Sequence, residues 1–390
     1  MESALKATAD ALLRAGVGTG DVPGVVAAVT TREGTIYEAA FGERALGQGP
    51  AMTADTVMWV ASMTKPVTGV AAMQLVEQGR LSLDEPAGKV IPDLGKVKVL
   101  EGWDGDKPRL REARGVITLR NLLTHTSGFA YDIWNPHMDR YLNVMELPRA
   151  GSGKNIALTM PLAFDPGARW EYGIGIDWAG KMVEAVTGQR LGAYMQDHIF
   201  GPLGMESTAY RITPSMRSRL AKVHQRNASG GLDVTAFEVN QDPEFDPGGG
   251  GLYSTAQDYQ RFMRMILNAG QGNGNRILRA ETVEMMSRNS IGNLRVANLP
   301  SARPSLSCDA EFFPGTPKTW GLTFMINEAA ADTGRPAGCL AWAGLGNTYF
   351  WIDPKNGIGG VYMTQVLPFV DPRALAGFYA FEKGVYDSMV

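Results

Sequence analysis

Residues 62–79 have the sequence SMTKPVTGVAAMQLVEQG, which carries the most informative pattern in the chain. Its apolar residues recur at a spacing that predicts a buried helix ending near Gly79. Pro66 fits the first turn of such a helix, where a missing N–H costs little. Ser62 and Lys65 are three residues apart, so they lie on one face at the start of the helix. Their side chains are predicted to touch.

A serine beside a lysine at a helix N-terminus is suited to nucleophilic catalysis. The hydroxyl needs an adjacent base, and a lysine can serve if burial lowers its pKa. The helix N-terminus would also favour negative charge developing near Ser62. The pattern alone does not decide the matter, because Ser62 also fits an ordinary N-cap and Ser3-Ala4-Leu5-Lys6 is a second match. Ser3 belongs to a terminal amphipathic helix without partners for catalysis.

The flanking sequence predicts strands near both ends of the chain and a helix at each end. The first two strands, 25–32 and 35–42, are separated by two residues and read as a hairpin. Three more strand-like runs lie towards the other end: WGLTFMINE from Trp320, CLAWAGLG running into NTYFWID from Cys339, and GIGGVYMTQV from Gly357. Amphipathic helices are predicted over the first 16 residues and over 373–389.

Strands at both ends and a helix-rich middle predict an α+β fold, an α/β sandwich. One sheet would be assembled from distant segments, with helices covering its faces and the intervening chain inserted as a second domain. We place the α/β domain at 1–80 and 251–390 and the mainly helical inserted domain at 81–250.

Two further segments can carry chemistry. WEYGI (170–174) follows a turn and precedes a helix, which is where Tyr172 can be presented to a cleft. WAGL (342–345) lies in a strand where Gly344 lets another backbone or a ligand approach closely. Taken singly, each segment also fits an ordinary core position.

The order and spacing of these three segments resemble the class C β-lactamases and penicillin-binding proteins. The chain is most similar to the family VIII carboxylesterases, which combine Ser-x-x-Lys, a tyrosine motif and Trp-x-Gly where lactamases carry Lys-Thr-Gly. The resemblance spans nearly the whole chain and includes LLTHTSGF (122–129), FDPGARWEY (164–172), PLGM (202–205) and GGGLYSTAQD (249–258). It implies a mostly antiparallel sheet flanked by helices, with an inserted helix-rich domain.

The resemblance also implies roles for individual residues. Ser62 would attack an acyl carbonyl, Lys65 and Tyr172 would move its proton, and the backbone N–H groups of Ser62 and Leu345 would form the oxyanion hole. Residues expected to contact substrate are Trp342, Gly344, Ile174, Tyr131 and Trp134. For Tyr131 and Trp134, packing against the helical domain is an equally good interpretation.

Two departures from the lactamase pattern bear on the substrate. Lactamases place an asparagine two residues after the tyrosine, where this chain has Ile174, and a lysine where it has Trp342. Recognition of an anionic amide should suffer, because a carboxylate desolvated without a cation is costly. We therefore predict a serine carboxylesterase acting on short-chain esters. The alternatives are an acyltransferase using the same acyl-enzyme, a weak β-lactamase and a non-catalytic ligand sensor.

Several other patterns do not predict a site. His125 and Ser127 lie close in sequence, but no Gly-x-Ser-x-Gly elbow accompanies them. The histidines lack ligand-spaced companions, so no metal or other cofactor is expected. The glycine run 248–251 lacks the lysine of a phosphate loop and reads as a turn before a helix capped by Ser254 or Thr255.

Composition limits the partners and the location. The 390 residues contain 37 basic and 40 acidic side chains without long runs of one sign, which argues against a nucleic-acid partner. No apolar stretch approaches the roughly 18 to 20 residues that span a bilayer, and no export signal is visible, so a cytoplasmic protein with a small ester substrate is expected. Neither Cys308 nor Cys339 is assigned any chemistry, and the oligomeric state stays open.

Overall fold

The computed structural model describes residues 2–389. Met1, the first residue of the predicted N-terminal helix, and Val390 lie outside the described residues. The helices, in chain order, are α1 (Glu2–Gly18), α2 (Thr64–Glu77), α3 (Leu119–Leu123), α4 (Pro136–Val144), α5 (Gly175–Thr187), α6 (Leu191–Met195), α7 (Gly201–Leu203), α8 (Pro214–Arg217), α9 (Ala256–Leu267), α10 (Ala280–Met286) and α11 (Pro372–Asp387).

The strands are mostly short outside one large sheet. In chain order they are β1 (Gly24–Thr31), β2 (Thr35–Gly42), β3 (Met58–Trp59), β4 (Lys98–Asp104), β5 (Lys107–Glu112), β6 (His224–Arg226), β7 (Leu232–Val234), β8 (Tyr253–Ser254), β9 (Gln271–Gly272), β10 (Asn275–Arg276), β11 (Lys318–Trp320), β12 (Met325–Asn327), β13 (Leu340–Gly344), β14 (Thr348–Asp353), β15 (Ile358–Met363) and β16 (Val366–Leu367).

The large sheet combines strands from both ends of the chain. Its seven strands have the order β11-β12-β13-β14-β15-β1-β2. Every neighbouring pair is antiparallel, including β1 with β15, where Val26 lies opposite Met363. The predicted α+β class with a mostly antiparallel sheet is confirmed.

Helices cover both faces of this sheet, as the alternation of side chains along β14 shows. Tyr349 and Trp351 point to one face and pack on Phe378 of α11, with ring centroids 4.5 and 6.0 Å apart. Phe350, between them, points to the other face and packs on Tyr259 of α9 at 5.2 Å. Successive side chains of a strand project to opposite faces, so α11 and α9 lie on opposite sides of the sheet.

Two strand predictions are wrong in detail. The run CLAWAGLG into NTYFWID forms two antiparallel strands, β13 and β14, with Gly344 opposite Thr348. The run WGLTFMINE is not a single strand but part of the hairpin of β11 and β12, in which Trp320 lies opposite Met325. Gly321 is at the bend because a Cβ there would lie 2.2 Å from the carbonyl oxygen of Met286. Thr323 has a left-handed φ of 80°, which a continuous strand does not allow. The apolar character of the run reflects its burial in the turn.

The predicted buried helix is confirmed as α2, in which every residue from Thr64 to Leu75 is buried. It ends at Glu77, close to the predicted end, and Gly79 beyond it has a φ of 69° and donates its N–H to the carbonyl of Val76. Among residues 2–389, no helix, α2 included, has both the length and the apolar character needed to cross a bilayer.

Candidate active site

Ser62 lies in a short 3-10 turn, Ala61–Met63, that leads directly into α2. Ala61 has a left-handed φ of 45°. For a residue with a Cβ this conformation costs roughly 1–2 kcal/mol and persists only where the surroundings enforce it. The hydroxyl of Thr64 donates to the Ala61 carbonyl at 2.6 Å and accepts the N–H of Leu252 at 3.1 Å, which fixes the turn. The strained turn places Ser62 at the wall of a cavity.

Lys65 is fully buried, and its amine meets three oxygen atoms. Nζ lies 2.9 Å from Oγ of Ser62, 3.1 Å from the hydroxyl of Tyr131 and 2.6 Å from the carbonyl oxygen of Gly249. A neutral amine has two N–H donors and one lone pair. The carbonyl of Gly249 can only accept, and the hydroxyl of Tyr131 can take the second N–H. The lone pair then remains for the O–H of Ser62, as a general base requires.

The surroundings of Lys65 also favour its neutral form. Burial lowers the pKa of the amine to about 7, although the charge of Asp177 acts in the opposite direction. Burial, and after it the charge of Lys65, lowers the pKa of His125 well below its ordinary value, so that imidazole stays neutral. The amine is therefore largely unprotonated just above neutral pH.

A pH dependence follows from this pKa. We expect kcat/KM for an ester to fall as the pH drops below about 7, because a lysine base must be unprotonated and the amine of Lys65 gains its proton in that range. The measurement is a pH profile with p-nitrophenyl butyrate between about pH 5 and 9, corrected for enzyme stability at each pH. A rate that stays flat down to about pH 5 would contradict a lysine base.

Tyr172 lies on the other side of the nucleophile. Its hydroxyl accepts a hydrogen bond from Nε1 of Trp342 at 3.0 Å, and its ring lies 4.6 Å from Nζ of Lys65. Burial raises the pKa of the Tyr172 phenol, while hydrogen bonds with Ser62 and Trp342 lower it, and the net shift is upward. The phenol therefore stays protonated at neutral pH and can donate a proton to a departing oxygen.

Ser62 lines a cavity of about 290 Å³. Its polar corner is formed by Asp132, whose Oδ2 lies 3.0 Å from Nε of Arg149 and 2.9 Å from Nη1 of Arg303. The rest of the lining is mostly apolar and includes Trp59, Ala61, Tyr131, Ile133, Trp134, Ala150, Tyr172, Phe237, Val239, Pro247, Leu306 and Leu345.

Two backbone N–H groups at the cavity wall are free to receive an oxyanion. In residues 2–389, the N–H groups of Ser62 and Leu345 donate to no other group, and both residues line the cavity. Leu345 follows the last residue of β13 directly. Both N–H groups are therefore available as donors for the predicted oxyanion hole.

Comparison with known proteins agrees with this geometry. The family model described as Beta-lactamase matches residues 9–384. The chain belongs to the Beta-lactamase family. Its predicted relationship to β-lactamase-like serine hydrolases is thereby confirmed.

Relatives of this Beta-lactamase family chain include acyltransferases and an esterase. Monacolin J acid methylbutanoyltransferase of Aspergillus terreus (strain NIH 2624 / FGSC A1156) is 32% identical, with 96% of this chain and 94% of the relative covered. Lovastatin esterase of Penicillium rubens is 33% identical, with 94% of each chain covered. Among solved structures, a LovD6 mutant of simvastatin synthase from Aspergillus terreus is 32% identical and has a TM-score of 0.85, with 97% of this chain and 96% of the other covered.

The residues predicted to contact substrate fall into two groups in this Beta-lactamase family fold. Tyr131 and Trp134 line the cavity, whereas Trp342, Gly344 and Ile174 do not. Trp342 is buried behind Tyr172, to which it donates its indole N–H. An influence of Trp342 on substrate would therefore pass through the phenol.

Gly344 and Ile174 are also set back from the cavity. A Cβ on Gly344 would lie 2.2 Å from the carbonyl oxygen of Val60. The glycine thus lets β13 approach the turn before Ser62, and the close approach is to backbone, not to an acyl group. Ile174 is buried at the start of α5. Its apolar side chain fits this core position.

Sequence reasoning missed two residues that contact the Lys65 site. Gly249 gives its carbonyl to Lys65, and Asp177 accepts the N–H of Gly249 at 2.8 Å. The glycine run did signal a turn, and Thr255 does cap α9 by accepting the N–H of Asp258. A glycine contributes only backbone, however, and an acid in the first turn of a helix is common for dipole reasons. Neither residue therefore carried a distinctive signal.

Proposed function

We propose that this protein is a serine carboxylesterase that forms an acyl-enzyme on Ser62 and acts on short-chain acyl esters of bulky, apolar alcohols. The observation that carries the proposal is Oγ of Ser62 lying 2.9 Å from Nζ of Lys65 at the wall of a mostly apolar cavity. The relatives include a transferase of a methylbutanoyl group, which is a short acyl chain, and an esterase.

In the proposed reaction, Oγ of Ser62 attacks the ester carbonyl carbon while Lys65 takes the hydroxyl proton. The oxyanion of the tetrahedral intermediate accepts hydrogen bonds from the N–H groups of Ser62 and Leu345. Collapse breaks the bond to the alcohol, whose oxygen takes a proton either directly from the Lys65 ammonium or from Tyr172, which then regains its proton from that ammonium. Water then attacks the acyl-enzyme by the reverse sequence and releases the carboxylic acid.

The charges around the cavity favour an uncharged ester over a β-lactam. The arginines that line it, Arg149 and Arg303, both bond the carboxylate of Asp132, and Arg149 also bonds Asp139, so two carboxylates balance the two cations. Position 342 carries a tryptophan whose indole N–H is donated to Tyr172. A β-lactam carboxylate would lose its water without gaining a free cation, which is costly. An ester needs only its carbonyl seated at the oxyanion donors.

Acyl transfer to an alcohol is the second candidate. It is supported by relatives described as acyltransferases, among them acyltransferase mokF of Monascus pilosus at 33% identity over 88% of this chain. The first half of the reaction is the same, and only the group that attacks the acyl-enzyme differs. The apolar lining of the cavity favours an organic acceptor as well as an organic leaving group.

The fate of the acyl group decides between these candidates. We expect p-nitrophenyl butyrate to be hydrolysed, and kcat/KM for the ester to exceed that for the cephalosporin nitrocefin by about 10² or more, because the unpaired polar groups of the lactam penalise it. Adding a bulky apolar alcohol and quantifying the new ester and the free acid shows how the acyl group divides between the alcohol and water. Free acid as the main product supports the esterase, whereas new ester as the main product would make the acyltransferase the better assignment. Equal efficiency with nitrocefin would establish a lactamase instead, and Ser62→Ala serves as the blank.

A further inference from the structure

Asp177 is a buried carboxylate beside Lys65 that has no part in the steps above. We propose that Asp177 is a positioning residue of this site: it holds the Gly249 segment against Lys65 and supplies the negative charge that stabilises the Lys65 ammonium while the proton of Ser62 resides there. The inference rests on the proposed function and deepens its chemistry.

The contacts around Gly249 show how Asp177 reaches the amine. Asp177 is only 2% exposed, and its Oδ1 accepts the N–H of Gly249 at 2.8 Å. The carbonyl of the same glycine accepts from Nζ of Lys65 at 2.6 Å. A Cβ at position 249 would lie 2.7 Å from Oδ2 of Asp177 and 2.8 Å from the hydroxyl of Tyr131. Asp177, Tyr131 and Lys65 therefore converge on one glycine, and only a residue without a side chain fits between them.

The charge balance of the pocket gives Asp177 its second role. The titratable groups around the amine in residues 2–389 are Tyr131, Tyr172, His125 and Asp177, and Asp177 is the one acid among them. A buried ionised carboxylate is expensive unless a cation or hydrogen bonds compensate it. Burial raises the pKa of the Asp177 carboxyl, whereas the charge of Lys65 in its protonated form and the N–H of Gly249 act in the opposite direction.

This pairing matters most during proton transfer. When the Ser62 proton moves from Oγ to Nζ, Lys65 becomes an ammonium in a buried site that disfavours charge. A carboxylate close to the amine lowers the free energy of that state. The same charge raises the pKa of Lys65 against the larger lowering effect of burial, and so keeps the amine a stronger base. A stronger base near the working pH accepts the proton more readily.

The variant Asp177→Asn tests the role of the charge, because it removes the negative charge but nearly preserves the shape of the side chain. The amide keeps an oxygen that can accept the N–H of Gly249 but carries no charge. Removing the acid should lower the pKa of Lys65 further. The acidic limb of the pH profile, where kcat/KM falls as the pH drops, is therefore expected to move to lower pH by about one unit or more. The plateau rate should fall about tenfold or more, because the base is weaker, with little change in KM. The pH dependence of Ser62 labelling by a fluorophosphonate should shift in the same direction.

Asp258→Asn is the matched control. Asp258 is 3% exposed, lies in the first turn of α9 and accepts a backbone N–H from Ser207 at 2.7 Å, but it does not line the cavity. Its variant should lose stability and keep the acidic limb at the wild-type pH. If Asp177→Asn only destabilised the fold, its rate would likewise fall, but the acidic limb of its pH profile would not move to lower pH.

The outcomes separate this inference from the proposed function. If wild-type protein neither turns over esters nor is labelled at Ser62, the proposed function fails and the inference fails with it. If wild-type protein is active but the limb of Asp177→Asn stays in place or rises, the role of Asp177 alone is refuted. Should Asp177→Asn not fold, Asp177→Ser, which keeps an uncharged acceptor oxygen, is subjected to the same test, and the same downward shift is required.

Discussion

Replacing Ser62 by alanine is expected to lower ester turnover by about 10⁴-fold or more and to abolish covalent labelling by a fluorophosphonate. Oγ of Ser62 is an aliphatic hydroxyl within hydrogen-bond distance of a buried amine, 2.9 Å from Nζ of Lys65, and Ser62 lines the cavity. Without this oxygen no acyl-enzyme can form. The measurements are kcat with p-nitrophenyl butyrate and peptide mapping of the labelled wild-type protein.

Ser127→Ala is the matched control for this prediction. Ser127 is 1% exposed, and its Oγ has no hydrogen-bond partner among the described residues and does not line the cavity. Its variant should retain turnover and labelling. A label on Ser127, or full activity in Ser62→Ala with Ser3 intact, would overturn the assignment of the nucleophile.

The features that sequence predicted well are local or periodic. Ser62 and Lys65 touch because three residues on a helix bring side chains to one face, and this needs no knowledge of the rest of the chain. The strands β1 and β2 follow from alternation and a short connection, and α2 follows from its apolar spacing. These features can be predicted without knowledge of the tertiary structure because they depend on residues that are close in sequence.

The features that sequence missed depend on distant backbone. The indole of Trp342 meets the phenol of Tyr172 across 170 residues of chain, so the tryptophan lies behind the tyrosine and not in the cavity. Gly249 acts through its carbonyl and its missing side chain, neither of which is visible as a motif. Family resemblance identified the segments, but the burial of Trp342, Gly344 and Ile174 away from substrate follows from packing alone.

In the proposed mechanism, Lys65 and Tyr172 are members of one proton-transfer unit. Both interact with Ser62, and Nζ lies 4.6 Å from the centre of the Tyr172 ring. When two residues handle the same proton, removing the second after the first costs less than its single effect. The losses in Lys65→Ala and Tyr172→Phe should therefore be clearly non-additive in the double variant.

Tyr172→Phe is expected to reduce kcat for esters by about 10² to 10⁴, whereas Tyr131→Phe should cost about tenfold. The Tyr172 hydroxyl interacts with Ser62 and accepts from the indole of Trp342, so its phenol proton remains available for the departing oxygen. Within residues 2–389, the hydrogen-bond partner of the Tyr131 hydroxyl is the amine of Lys65, which it helps to orient. Stopped-flow or steady-state kinetics with p-nitrophenyl butyrate compare the two variants. The loss of kcat in Trp342→Phe is expected to lie between theirs, because this change removes a hydrogen-bond donor to Tyr172 but leaves the phenol in place. A larger loss in Tyr131→Phe than in Tyr172→Phe would transfer the role of proton donor to Tyr131.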